Sequence, residues 1–332
     1  MNNRKLTKIF DPSDGFGSIR DVWAATDATL AWRDGSWWMY LAGKVIGHEG
    51  IQLMSARLPV GAPLAADGWT LVPRADNPSR VDTVAGHQFS CSWDLKGGRH
   101  CPSYVRGFDA HRQVWVERLY YAGGAENNWG PYTIGYLEWN GIQWLDQPAP
   151  VFTAEQAWER GSVYEPNVIY AEGKWKMWYV AGSNQDDNLV QGFSESEDGK
   201  SNWSPRQQVF SAEERVFDFR VIPAQDGYEA VFSRVWVGKG PRPSGTGLWW
   251  CRSECCSPNR NDWSTPVHIL PADEESWYGG PWRPSPAYPG RESDGGRLLV
   301  FFDGTYLKPG ATGFPTVFTL GCLELDRPAA ST

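Results

Sequence analysis

The chain has 332 residues, 41% of them hydrophobic, with 20 Trp, 36 Gly and 24 Pro. That size and apolar content can bury a large core, and the excess of Trp, Gly and Pro favours many short strands and turns over helices. A net charge of −8 and a pI near 5.2 argue against a nucleic-acid or anionic-membrane partner. No run of about 18 apolar residues marks a membrane span. Met1 to Gly15 lacks an apolar leader segment, so the expected setting is the cytoplasm, with reduced cysteines. Cys251, Cys255 and Cys256 have no second half-site, and His48, His87 and His111 share no metal spacing. No metal and no cofactor are therefore expected.

In chain order, Lys5 to Phe10 alternates and reads as a strand. From Asp27 a first strand runs to a turn at Asp34-Gly35, followed by an aromatic strand over Trp37 to Ala42. A third strand follows at Ile51 to Arg57 and a fourth near Trp69. The same pattern returns from Glu165. Counting from the acid in each case, Gly falls at +8 (Gly35, Gly173), Trp at +10 (Trp37, Trp175) and Met at +12 (Met39, Met177). Two β-hairpins in one register, each headed by an acid, define a repeat. Weaker copies start near His100-Cys101-Pro102, Asp218 and Arg283-Pro284. Leu41-Ala42-Gly43, Tyr121-Ala122-Gly123 and Val180-Ala181-Gly182 close the second strands, and a late Trp (Trp69, Trp203, Trp263) precedes the outer strand.

The heads at 27, 101, 165, 218 and 283 step by about 64 residues. Units of three to four antiparallel strands repeated radially make a β-propeller, here all-β with five blades. No linker divides the chain, so residues 1–332 are expected to form one domain, with Lys5 to Phe10 as the outer strand of blade five.

First strands line the central axis of a propeller, so the head residues converge on one mouth. Asp27 and Glu165 there make a carboxyl pair suited to glycosidic-bond cleavage, one protonated and one ionised. Glu165, between Tyr164 and Pro166, is the expected acid, and Asp27 the base or nucleophile. Arg220 and Arg283 either hold substrate or pair with the acids. Trp23, Trp129, Trp236 and Trp282 stand in loops near the heads, where aromatic faces would stack on sugar rings, whereas most of the other Trp serve packing.

These features resemble the five-bladed β-propeller glycoside hydrolases, the arabinanase and β-xylosidase group with its invertase-like relatives. Gly35-Ser36-Trp37-Trp38 and Gly173-Lys174-Trp175-Lys176 match the hairpins that follow that group's catalytic Asp and Glu. The resemblance implies Asp27 and Glu165 as the catalytic pair and a third acid at the head of blade two. This chain has Cys101 there, so either Asp218 or His100 is expected to stand in. The expected partner is a carbohydrate substrate, with Trp23, His100, Arg220, Trp282 and Arg283 as the candidate residues that hold it. The expected activity is hydrolysis of a small oligosaccharide or glycoside. The alternatives are a glycoside phosphorylase, with Arg220, Arg283 and His100 holding phosphate, and a non-catalytic sugar-binding propeller.

Overall fold

The structure is a computed structural model that describes residues 4–84, 92–94, 96–124, 130–182, 189–235, 244–290, 296–307 and 316–329. The chain opens with β1 (Lys5–Phe10). Blade one follows with β2 (Val22–Arg33), β3 (Ser36–Val45), β4 (Gln52–Arg57) and β5 (Thr70–Leu71). Blade two has β6 (Gly98–Asp109), β7 (Val114–Gly124), β8 (Tyr132–Trp139) and β9 (Trp144–Asp146). Blade three has β10 (Val163–Ala171), β11 (Lys174–Ala181), β12 (Val190–Ser196) and β13 (Gln207–Phe210). Blade four has β14 (Val216–Ala224), β15 (Gly227–Arg234), β16 (Gly247–Ser253) and β17 (Val267–Pro271). Blade five has β18 (Trp282–Ala287), β19 (Arg297–Leu307) and β20 (Thr316–Asp326).

Each blade is a four-stranded antiparallel sheet, and the five sheets form a β-propeller. β1 completes blade five by pairing with β20, from Lys5 opposite Glu324 to Phe10 opposite Leu320. β1 and β20 thus share one sheet, which ties the ring shut and covers the outer edge of β20.

The two hairpins read from the sequence are two-residue turns. Asp34 and Gly35 have φ of 50° and 74°, Glu172 and Gly173 of 54° and 78°. Positive φ at both central residues is the turn whose twist matches the flanking strands, and Gly supplies the second position without strain. Arg33 faces Ser36 and Ala171 faces Lys174 across them. Eight residues past each acid is therefore where the strand must reverse, and that fixes which side chains point into the blade interface. Met39 and Met177 are fully buried there. Trp175, also fully buried, donates its indole N–H to the Phe108 carbonyl of blade two at 2.9 Å. It lies so close to Gly107 that a Cβ there would come 2.6 Å from the ring. The late Trp residues mark the approach to the outer strands, which begin at Thr70, Gln207 and Val267.

Candidate active site

The five head residues are not strand starts. They sit inside β2, β6, β10, β14 and β18, each at a break in pairing register. The breaks fall between Thr26 and Thr29, His100 and Ser103, Tyr164 and Asn167, Phe217 and Arg220, and Trp282 and Ser285. Asp27, Cys101, Glu165, Asp218 and Arg283 have φ of 56°, 53°, 49°, 55° and 46°. None is Gly, so each left-handed residue costs on the order of 1–2 kcal/mol of backbone energy. A β-bulge of this kind bends the strand and re-aims the bulged side chain. Five copies aim five side chains at one point on the axis.

Arg283 is the node of that point. Its Nε donates to Glu165 Oε1 at 2.7 Å and its Nη1 to Asp27 Oδ1 at 2.5 Å. Adjacent nitrogens of one rigid guanidinium hold the two carboxyls, so their nearest oxygens lie within about 7.5 Å of each other. The Cys101 backbone N–H donates to Asp27 Oδ2 at 3.1 Å. Arg220 Nε pairs with Asp218 Oδ1 at 2.5 Å, its Nη1 donates to the Pro166 carbonyl at 2.8 Å, and its Nη2 lies 3.7 Å from Glu165 Oε2. That Oε2 is buried and accepts no hydrogen bond among the described residues.

Burial raises both acids, and their partners drive them apart in charge. Asp27 is 3% exposed, which alone would raise its carboxyl, but Arg283, the Asp303 carboxyl, His100 and the Cys101 N–H together hold it below the usual range. Glu165 is 1% exposed, and burial with the Asp27 charge raises it in spite of Arg283 and Arg220. Asp218 is pushed up to about 7 by burial and by Glu165, against the pull of Arg220. Burial pushes the Cys101 thiol well up, with Glu165 and Asp27 adding to the effect, so it stays a thiol and leans on Glu165. Burial lowers His100 to about 4, although Asp27 opposes it, so the ring is neutral at neutral pH. Its Nε2 lies 3.1 Å from the Gly97 carbonyl.

Of the residues singled out in the sequence, Asp27, His100, Cys101, Glu165, Asp218, Arg220, Trp282 and Arg283 come together. Trp23 stands apart, 65% exposed on β2. Trp129 and Trp236 lie outside the described residues, as does His87. Two features were missed, one of them an arrangement that joins His100 and Trp282 through residues not singled out. An aromatic arc runs from His100 to Tyr132, Tyr164, Phe217 and Trp282, with successive ring centroids 5.5, 5.3, 6.4 and 6.0 Å apart. Four of these five directly precede a head residue, a regularity visible in the sequence. Trp282 also carries the Arg283 guanidinium 4.1 Å from its ring centroid. The second omission is Asp303 on β19, fully buried, which accepts the Asp27 backbone N–H on both oxygens at 2.9 and 3.1 Å.

No protein-family model matches the chain, and no curated protein does. Solved structures do. A thermostable family-43 glycoside hydrolase superposes with a TM-score of 0.62 at 13% identity, covering 93% of this chain and 94% of the other. The chain has the fold of the five-bladed β-propeller glycoside hydrolases. A family 117 glycoside hydrolase from the marine bacterium Zobellia galactanivorans matches the propeller with a TM-score of 0.60 at 13% identity, over 97% of this chain and 90% of that one. An exo-1,5-α-L-arabinanase from a bovine ruminal metagenomic library gives 0.58 at 14%, over 91% and 94%.

Proposed function

We propose that this propeller is a glycosidase that cleaves a glycosidic bond in a small oligosaccharide or glycoside. Glu165 is the general acid and Asp27 the base or nucleophile. The observation that carries the reading is the geometry: two buried carboxyls from blades one and three on one guanidinium, in surroundings that favour the charge on Asp27 and the proton on Glu165. Environments that split the protonation of a carboxyl pair assign the acid and the base. Glu165 Oε2, buried with no hydrogen bond, is the free oxygen that would carry a proton to the leaving oxygen. Once Glu165 has given that proton up, Arg283 and Arg220 stabilise the carboxylate it becomes. The Asp27 charge lies on the far side of Arg283, placed to favour positive charge developing on the sugar carbon and to activate water or attack that carbon. Tyr164 Oη and Trp282 Nε1, both buried and without a hydrogen-bond partner among the described residues, are available to sugar hydroxyls.

Phosphorolysis is the weaker reading. Arg220 and Arg283 are both engaged by carboxyls, and His100 is neutral at physiological pH, so the cations named for a phosphate are already committed.

A screen of chromogenic furanosides and pyranosides identifies a substrate. On the corresponding alkyl glycoside, whose leaving group needs protonation, Asp27→Asn and Glu165→Gln should each lower kcat by at least about 10²-fold, the scale of general acid–base catalysis. Either variant keeping more than a tenth of wild-type turnover refutes its role. Sugar binding without turnover across the panel would make the protein a lectin-like propeller instead.

A further inference from the structure

Three carboxyls are buried at the strand heads, Asp27 (3% exposed), Glu165 (1%) and Asp218 (0%), and a fourth, Asp303 (0%), beside them on β19. Two guanidiniums, Arg220 and Arg283, face them; His100 is neutral and Cys101 remains a thiol. Fully ionised, the cluster would hold two uncompensated negative charges away from water, which burial strongly disfavours. Two protons must therefore reside among the four carboxyls.

Geometry says where. Asp27 takes Arg283 at 2.5 Å and a backbone N–H at 3.1 Å, and Asp218 takes Arg220 at 2.5 Å. Asp27 keeps its charge most easily, whereas Asp218 shares Arg220 with Glu165. Asp303 has only the Asp27 backbone N–H, with Arg283 Nη1 at 3.9 Å. The same Nη1 reaches Asp27 Oδ1 at 2.5 Å, so the two carboxyls lie side by side. Two buried carboxyls side by side share one proton, because like charges so placed do not both ionise. One proton thus sits on the Asp27–Asp303 pair, leaving the other for Glu165 and Asp218, which share Arg220.

We propose that Asp303 is the third acid of this centre: a positioning residue whose protonated carboxyl clamps Asp27 by both its backbone N–H and its side chain. The role expected of Asp218 or His100 falls to a residue on the second strand of blade five. Blades one and two hold Ala42 and Ala122 opposite the residue before the head, and blade five holds Asp303 opposite Trp282. The direction of its titration agrees: burial and the neighbouring Asp27 charge push Asp303 well above the ordinary carboxylate range. The proposal rests on the glycosidase reading for its catalytic consequence, though not for the proton itself.

Two measurements test it. The first needs no substrate. Isotope-edited infrared spectra of Asp-labelled protein at neutral pH should show the carbonyl stretch of a protonated carboxylic acid in wild type that is missing from Asp303→Asn. Identical spectra overturn the proposal. So does an Asp303→Asn protein that fails to fold, since the amide supplies the same donor and acceptor as the protonated carboxyl. The second is kinetic. Asp303→Ala should lower kcat about 100-fold or more with KM within about threefold, and Asp303→Asn should keep at least ten times the activity of Asp303→Ala. Without the clamp, Asp27 binds its proton more tightly, so the acidic limb of kcat/KM in Asp303→Ala should move up by about one pH unit. Equal losses in both variants, or wild-type turnover in Asp303→Ala, would rule the clamp out. If no glycoside is turned over by wild type, the glycosidase reading fails and the infrared comparison still decides the proton.

Discussion

Replacing Arg283 by Met isolates the charge that holds the centre together. The Met side chain keeps much of the apolar stem against Trp282 and removes the guanidinium shared by Asp27 and Glu165. Arg283 is 15% exposed as a side chain and its partners are 2% and 0%, so the pairs are largely shielded from water. Breaking a buried pair by deleting one partner costs about 3–5 kcal/mol. The two pairs are not counted twice, because uptake of one proton relieves the remaining repulsion. For 332 residues the unfolding entropy is roughly 0.7 kcal/mol per degree, so the melting temperature should fall by about 4–7 °C at neutral pH. The pH dependence has a definite sign. Arg283 lowers both carboxyls in the folded state, and without it both are raised relative to wild type. A folded-state carboxyl pKa raised above its unfolded value costs stability where the unfolded chain is ionised, and the cost fades as pH falls toward the unfolded value of about 4. Calorimetry at pH 7 and at about pH 4.5 should therefore show a deficit that shrinks in acid. A melting temperature within about 1 °C of wild type at pH 7, or a deficit that widens in acid, would refute the reasoning.

A glycoside with a nitrophenolate leaving group needs little protonation, so Glu165→Gln should retain far more of its activity on it than on an alkyl glycoside, while Asp27→Asn loses both; equal losses by Glu165→Gln would remove the acid role. Gly107→Ala would drive a methyl to 2.6 Å from the Trp175 ring and should cost about 1–3 kcal/mol by overpacking, read as a lower denaturation midpoint with an unchanged slope. Cys101→Asp adds a carboxyl beside Glu165 and Asp27, so the basic limb of kcat/KM, which reports the acid, should move to higher pH; a limb that stays in place would show that the thiol does not touch the acid.

What was legible in the sequence was whatever a short segment dictates. Asp34-Gly35 and Glu172-Gly173 reverse the chain because two positive φ values are needed there, and that local demand set the register of Asp27 and Glu165. Cys101, Asp218 and Arg283 followed from the repeat alone. The bulges were not read, yet three heads are followed by Pro102, Pro166 and Pro284, and Pro inside a strand marks a place where the ladder is interrupted. Asp303 was invisible for a different reason. It reaches the centre from a second strand, 276 residues from Asp27, and only the break in the small-residue pattern at Phe302-Asp303-Gly304 distinguishes it. Contacts between blades are set by closure of the ring, and no local window contains them.

The same closure explains why one cation can enter the ring at Arg220. In blades one to three, the residue two past each head accepts a hydrogen bond from the backbone N–H three past the next head. Thr29 takes Tyr104 at 3.1 Å, Ser103 takes Val168 at 3.0 Å and Asn167 takes Val221 at 2.9 Å. Each stitch satisfies a backbone donor buried at a blade interface, where an unmade bond costs about 1–3 kcal/mol. Between blades four and five the two positions are Arg220 and Pro286. Arginine has no acceptor and proline has no N–H, so no donor is stranded. Arg220 is thereby released from the repeat: it pairs with Asp218, donates to the Pro166 carbonyl and lies 3.7 Å from Glu165. An Arg at position 29, 103 or 167 would strand the N–H of Tyr104, Val168 or Val221. The second guanidinium of the centre thus sits at a blade junction where the scaffold has no hydrogen bond to lose.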